Sequence, residues 1–348
     1  MKVKYLILTI LTFLFAGCEK ILFEDDVPNT PENNYEMFWN DFNIYYPFFE
    51  IKNIDWDAVN SQYKPMVTSQ TSSTELFGIL SEMIQPFKDG HVQLFSQYGT
   101  SYFYPMEIFT DYFSNMKINP QNYLNFFESD NSNIKYANVI SHNIGYISIN
   151  TFKGQDDPFV FSSASFLIID DIVNQFKNKD GIIIDVRWNG GGFQPNAETI
   201  ANRFTKEERL YVKARSKNGP CKNDFSDWFD WYIEPEGDYQ FTKPVVVLTS
   251  RSTGNTAEWF TLMMKTLSNV KIVGDTTNGS FSQHIYRELP NGWSFSLSTT
   301  IVATANLTVY EGVGISPDYY ILNTQSDIDN KTDAMLEKGI EVIETVVK

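Results

Sequence analysis

Cysteine, histidine and positive charge are all scarce in this chain of 348 residues, which carries 2 cysteines, 3 histidines, and 27 Lys and Arg against 43 Asp and Glu. A formal net charge of −16 sets nucleic acid and anionic lipid aside as partners, because both repel an acidic surface. With Cys18 in a leader-like segment, Cys221 is left with no partner for a disulfide, so stability must come from core packing. The Gly-x-Gly-x-x-Gly turn of dinucleotide sites is absent, and neither a metal nor a cofactor is expected. No internal repeat is found, and no apolar run is long enough to span a bilayer comfortably.

What is present is an ordinary globular composition, with 42% hydrophobic and 16% aromatic side chains, enough for one large α/β core or two modest ones. Residues 1–17 have a basic start, a short apolar run and a small pair, Ala16-Gly17, directly before Cys18. This reads as a lipoprotein signal peptide, with Cys18 lipidated and exposed as the mature N-terminus; a plain signal peptide with an incidental cysteine is the alternative. Its removal takes away Lys2 and Lys4 and moves the formal charge to about −18. The expected location is the cell envelope, periplasm or outer membrane, by a lipid anchor.

Residues 18–34 are polar, acidic and marked by Pro28 and Pro31, the pattern of a spacer without regular structure. Over 35–90 helical spacing takes over: Phe38, Trp39, Phe42, Tyr45 and Tyr46 up to Pro47, a second helix from Asp55-Trp56-Asp57, and a third opened by the capping-box pattern Ser72-Ser-Thr-Glu75 and closed by Pro86. This is a small helical module. Residues 91–144 read as connecting strands and linker, with a helix around Gln121 to Phe127.

From 145 to 322 the pattern is α/β. Strands are expected at 145–149, 181–186, 244–249 and 270–274, helices at 164–177 and 257–267, and further strands at 285–289, 293–298 and 300–303. Hydrophobic strands each followed by a helix imply a sheet covered on at least one face. Residues 323–348 read as a C-terminal helix.

Four places carry candidate chemistry. Asn189-Gly-Gly-Gly192 follows a buried strand, where glycine lets the backbone approach a ligand and turn its N–H groups on a developing negative charge; the alternative is a tight strand-to-helix connection. Thr249-Ser-Arg-Ser-Thr-Gly-Asn-Thr-Ala-Glu258 is a strand-to-helix turn, whose last residue before the helix sits where free N–H groups stabilise an anion. His91 follows Gly90 at the start of a strand and is placed to act as general base, although a lone histidine is more often a core or surface residue, the reading given to His142 and His284. Glu311 could orient a histidine or be an acidic turn residue.

Taken in order, Asp89-Gly-His91, Asp185-Val-Arg-Trp-Asn-Gly-Gly-Gly192, the turn into Ala257-Glu258 and Glu311-Gly-Val-Gly-Ile-Ser-Pro-Asp318 resemble the tail-specific, or C-terminal processing, serine peptidases over roughly residues 35 to 322. The resemblance implies an α/β spiral catalytic domain like those of ClpP and crotonase, and acyl-enzyme cleavage of polypeptides. One branch of the family uses a Ser-Lys dyad, but the segment matching its lysine turn is Thr277-Asn-Gly-Ser280, without the lysine. The tricorn-core and retinoid-binding-protein-like branch implies His91 as base and Glu311 as its orienter, with Gly190, Gly191 and Thr256 as oxyanion donors. The stretch between Leu94 and Gly145 is too short for the PDZ domain many relatives carry.

The resemblance also implies a serine three residues before Glu258, and that residue is Asn255. A carboxamide is not a useful nucleophile. Two readings follow: a peptidase using a neighbouring hydroxyl, Ser252, Thr253 or Thr256, or a silent member that binds polypeptide in the same groove. A carrier of an apolar small ligand is a third. The sequence leaves the oligomeric state open.

Overall fold

The computed structural model describes residues 27–103, 122–127, 129, 131–154 and 164–347; the leader and Cys18 lie outside them. Helix α1, Pro31–Tyr45, begins four residues before the expected module, inside the stretch read as spacer. Thr30 caps it through its side chain and Pro31 takes the first turn, where a missing N–H costs nothing. Asp55 caps α2, Trp56–Tyr63, and the Ser72/Glu75 capping box opens α3, Ser73–Ile84, as the sequence indicates.

The chain then forms strands β1, Gln93–Ser96, β2, Gly99–Tyr102, β3, Leu124–Phe126, β4, Ile134–Val139, and β5, Ile144–Ile149. The helix expected around Gln121 to Phe127 is instead β3 over its described residues, paired antiparallel with β4. Leu124 turns inward while Asn125 and Phe126 stay exposed, and an edge position in the sheet overrides the local pattern. Next come α4, Ile168–Gln175, β6, Gly181–Asp185, and α5, Gln194–Ala201. Two strands the sequence did not indicate follow, β7, Arg209–Ser216, and β8, Phe229–Ile233. The remainder is β9, Val245–Thr249, α6, Thr256–Lys265, β10, Val270–Gly274, β11, His284–Glu288, β12, Ser294–Ser298, β13, Thr300–Ala303, β14, Tyr319–Tyr320, α7, Gln325–Asn330, and α8, Ala334–Val347. The single C-terminal helix expected over 323–348 is thus two, separated where Lys331 takes a left-handed conformation at φ 58°.

A seven-stranded sheet ordered β14-β10-β9-β6-β5-β4-β3 forms the centre, parallel from β14 to β5. Its middle strands are apolar throughout because both faces are covered. Ile182, Ile184, Val245 and Val247 pack with α4, α5 and α6 on one face; Ile183, Val246 and Leu248 pack with Leu336, Ile340 and Ile343 of α8 on the other. Arg187, just beyond β6, anchors that second layer: its guanidinium donates to Asp185 at 2.7 Å and to Asp333 at 2.9 Å, all three buried.

The N-terminal helices do not close a core of their own. Phe38, Phe42, Trp56 and Phe87 pack against Leu289, Trp293, Phe295 and Leu297, contributed by a four-stranded sheet ordered β11-β12-β1-β2. Residues 284–298, inside the segment 145–322, thus pack their apolar side against the N-terminal helices. The long-range pairing of β1 with β12 explains why: the helical module exposes an aromatic face too large to leave in water. The abundant aromatics build this core rather than an apolar ligand chamber.

Candidate active site

The site lies where the two units meet, off the carboxyl ends of the paired strands β6 and β9, the end of a parallel sheet at which ligand crevices form. After β6 the chain makes the Asn189-Gly190-Gly191-Gly192 turn; after β9 it makes the turn ending at Asn255. The two turns touch. A Cβ on Gly191 would stand 2.9 Å from Asn255 Cβ and 3.1 Å from Thr256 N, and Gly191 itself has φ +110°, so only glycine fits there.

Asn255 is the N-cap of α6 with φ 49° and ψ −120°, a conformation that a residue with a Cβ adopts only when its surroundings hold it. Glu258, fully buried, does the holding. Its carboxylate accepts the Thr277 hydroxyl at 2.6 Å, and the N–H groups of Gly279 at 2.6 Å, Ser280 at 2.8 Å and Asn255 at 3.1 Å. Burial pushes its carboxyl up to about 7, against these four donors, which pull it down. Sequence reasoning used Glu258 only as a register mark. Its place as the pin of the elbow follows from buried donors converging from 277–280, which no spacing displays.

His91 reaches the elbow from the turn before β1. The amide Nδ2 of Asn255 lies 2.8 Å from its Nε2. Since the Asn255 Oδ1 accepts the Thr256 N–H at 2.7 Å, the amide orientation is fixed, Nδ2 donates, and the ring proton belongs on Nδ1. That Nδ1 has no hydrogen-bond partner. The nearest carboxylate is Asp89, 3.9 Å away, beyond hydrogen-bond reach. Burial, the largest influence, and the Lys52 charge depress the His91 pKa against the pull of Asp89, which keeps the imidazole neutral near pH 7.

The expected contact from Glu311 to His91 is not formed. Glu311 is buried and its carboxyl accepts the N–H groups of Phe281 at 2.8 Å and Ser282 at 3.1 Å. Burial and the nearby Asp89 charge raise its pKa well above the ordinary range, so it favours its neutral form. Two acids share the field of one cation, Lys52, which stands 3.8 Å from Asp89, and Asp89 has the fuller set of donors. It accepts the Tyr46 hydroxyl at 3.1 Å, the Ser298 hydroxyl at 2.9 Å and the His91 N–H at 2.9 Å.

The oxyanion donors also differ from expectation. The Gly191 N–H donates to Asn189 Oδ1 at 2.8 Å and the Thr256 N–H is taken by Asn255 itself. Gly190 is exposed and lines the cleft. Of the alternative hydroxyls, Thr253 is fully buried and donates to Val186 O at 2.9 Å, and Thr256 donates to Gly192 O at 2.8 Å. Both are committed to holding the turn. Ser252 lines the cleft of about 350 Å³ with His91, Trp188, Gly190, Asn255 and Ser280.

His284, given a bland reading from sequence, stacks on His91 with ring centroids 4.7 Å apart and planes at 17°. Its packing against neighbouring groups, aided by the His91 charge, lowers its pKa, although the side chain stays exposed at the start of β11. The stacked ring borders the His91 imidazole, a contact visible only after β11 is paired beside β12. His142 keeps the bland reading, in a surface pair with Glu344 at 2.7 Å.

Comparison with known proteins bears on the family and the fold. Residues 143–321 match the model of peptidase family S41, and residues 28–85 match the tricorn protease C1 domain; neither is a PDZ domain. The solved structure of a candidate peptidase from Parabacteroides merdae is 31% identical, with a TM-score of 0.80 over 91% of this chain and 97% of that one. The carboxy-terminal processing protease CtpA of Bacillus subtilis is 27% identical over 184 residues, 52% of this chain and 36% of that protein. The chain thus spans about a third of the length of the curated relatives it matches. Mature CPAF, at 13% identity and a TM-score of 0.67 over 91% of this chain and 98% of its own, shares the fold.

Proposed function

The chain belongs to peptidase family S41, and from that premise we propose that it is a polypeptide-binding member whose hydrolytic step is disabled at Asn255. One observation carries the reading: the Asn255 carboxamide bridges His91 Nε2 and the Thr256 N–H. Acyl transfer needs a nucleophile whose proton the base can remove. The amide nitrogen has its lone pair delocalised, and it spends its donor on the base. The amide oxygen meanwhile sits on a donor that would serve the oxyanion. A bound peptide is left Gly190 as its carbonyl donor and the exposed edge of the cleft for strand-like docking.

Export and anchoring belong to the same proposal. The pattern of residues 1–17 followed by Cys18 supports an envelope lipoprotein with its folded part held near the membrane. Among the described residues, no helix is long and apolar enough to cross a bilayer. Metabolic labelling with a fatty acid, in the full chain and in Cys18→Ser, tests the anchor; label retained in the variant refutes it.

Hydrolysis by a displaced hydroxyl is the second reading, favoured by the place of Ser252 in the same cleft. One experiment separates the two. The purified protein and its Asn255→Ser variant are exposed to a fluorophosphonate probe and to unfolded casein. Reaction of the variant alone is the expected result. Labelling of the unmodified protein at Ser252 establishes the second reading, and a variant that folds but neither labels nor cleaves removes the assignment of His91 as base.

A further inference from the structure

A cleft of about 710 Å³ lies away from Asn255, between the loop after α1 and the start of the loop after β7. Its size is that of a small-ligand site. Three cations line it, Arg215, Lys217 and Lys222, the last paired with Glu50, with Tyr46, Phe49, Trp56 and Phe225 among the walls; Arg215 and Lys217 are the two left over.

Neither cation is paired with a carboxylate among the described residues. Arg215 is pinned between rings, its guanidinium carbon 4.3 Å from the Phe225 centroid and 4.7 Å from that of Trp228, and its buried Nε has no hydrogen-bond partner. Lys217 is 6% exposed and its ammonium donates only to the carbonyl oxygens of Gly219 and Cys221. In a chain with net charge −16 carboxylates are plentiful, so a half-buried arginine and a buried lysine with no carboxylate in ion-pair contact are unusual; the Asp224 charge reaches Lys217 only from farther off. Burying a cation without a directly paired counter-charge is costly, and burial depresses the Lys217 pKa against the pull of the Asp224 charge. An arginine stacked on aromatic faces keeps its forked N–H edge in place for a planar anion at little further entropy cost.

We infer that this cleft is a carboxylate-binding site, with Arg215 as the bidentate donor and Lys217 as the second cation. The rest of the lining limits the ligand. Glu50, Asp55 and Asp57 also face the cleft; Glu50 is paired with Lys222 and Asp55 caps α2 through the Ala58 N–H. Their charge repels polyanions such as nucleotides and leaves a monocarboxylate with an apolar body to lie on Trp56 and Phe49. A free organic acid and the C-terminal carboxylate of a short peptide share this chemistry.

Titration of the full chain with benzoate, N-acetyl-Phe-Ala and N-acetyl-Phe-Ala-amide, followed by calorimetry and by tryptophan emission, tests the assignment. Either acid binds and the amide does not. Saturation by benzoate marks a free acid as the source; saturation by the dipeptide acid alone marks a peptide terminus. Arg215→Gln weakens binding at least tenfold and Arg215→Lys by less, while Asn255→Ser leaves it unchanged. Circular dichroism and thermal midpoint confirm that each variant folds. Equal binding of acid and amide, no binding of either acid at 10 mM (about 2.7 kcal/mol in affinity terms), or undiminished binding by a folded Arg215→Gln overturns it. The site stands or falls apart from Asn255, since its readout is binding and not hydrolysis.

Discussion

Replacing Glu258 by glutamine changes one buried oxygen to an NH2 group and removes a titrating group from beneath the elbow. All four partners of the carboxylate are donors in the native arrangement. The amide can turn toward Ser280 and Asn255, which strands two backbone N–H groups. If it turns toward Thr277 and Gly279 instead, it strands one, and it forces the Thr277 hydroxyl, which already accepts the Ile315 N–H at 2.7 Å, to find a new acceptor. At about 1–3 kcal/mol for each stranded group, the variant loses roughly 2–5 kcal/mol where the native carboxyl is neutral.

The pH dependence isolates Glu258, because glutamine does not titrate. The carboxyl is raised from 4.5 to about 7 in the folded protein, so the folded state binds its proton more tightly than the unfolded state. Its contribution is complete below 4.5 and is lost as pH rises through about 7. At about 1.4 kcal/mol per pH unit, the native protein's advantage over Glu258→Gln shrinks by about 3 kcal/mol between pH 4.5 and 8. Urea denaturation of both proteins at half-unit pH steps gives this difference directly. A flat difference shows that Glu258 does not titrate there. A difference that grows with pH means that the four donors outweigh burial, and the account of the elbow is then wrong.

Gly191→Ala puts a Cβ against the Asn255 Cβ at 2.9 Å in a φ of +110°, and a loss of about 2–4 kcal/mol is expected in denaturant unfolding; near-native stability would show that the two turns are not in contact. Arg187→Met leaves Asp185 and Asp333 buried without their cation, for which roughly 3–5 kcal/mol is expected, with early proteolytic release of the C-terminal helix. In an active Asn255→Ser protein the acid limb of the rate profile falls below pH 6.5, since burial depresses His91 and the base works only when neutral. A limb above 6.5 would mean that Asp89 dominates the imidazole. His284→Ala in the same background lowers kcat more than it raises KM, because it loosens the ring of His91 without touching the cleft wall.

Secondary structure was legible wherever a local rule had no rival. The capping box at Ser72, the apolar run 181–185 and the strand 270–274 all follow from periods and caps that no tertiary contact had to correct. Pro31 misled, because proline in a polar stretch reads as a breaker until a capping Thr30 makes it the first turn of a helix. The strand at 124–126 was read as helix because an edge strand shows little alternation. The strands at 209–216 and 229–233 were missed because their sheet is short and mostly half-exposed.

The sequence by itself determined the family, the order of the motifs and the fact that residue 255 is an asparagine at the helix entrance, since these are matters of residue type and spacing along the chain. It could also place His91 in the site, because the motif carries it. Tertiary structure alone decided what each group is free to do. Asn255 occupies both the base and the Thr256 donor, Glu311 spends its carboxyl on two backbone N–H groups, and His284 stacks on His91 from a strand nearly two hundred residues away in sequence. Availability of a proton, a lone pair or a charge depends on which neighbours already hold it and on how much water remains, and distance along the chain encodes neither.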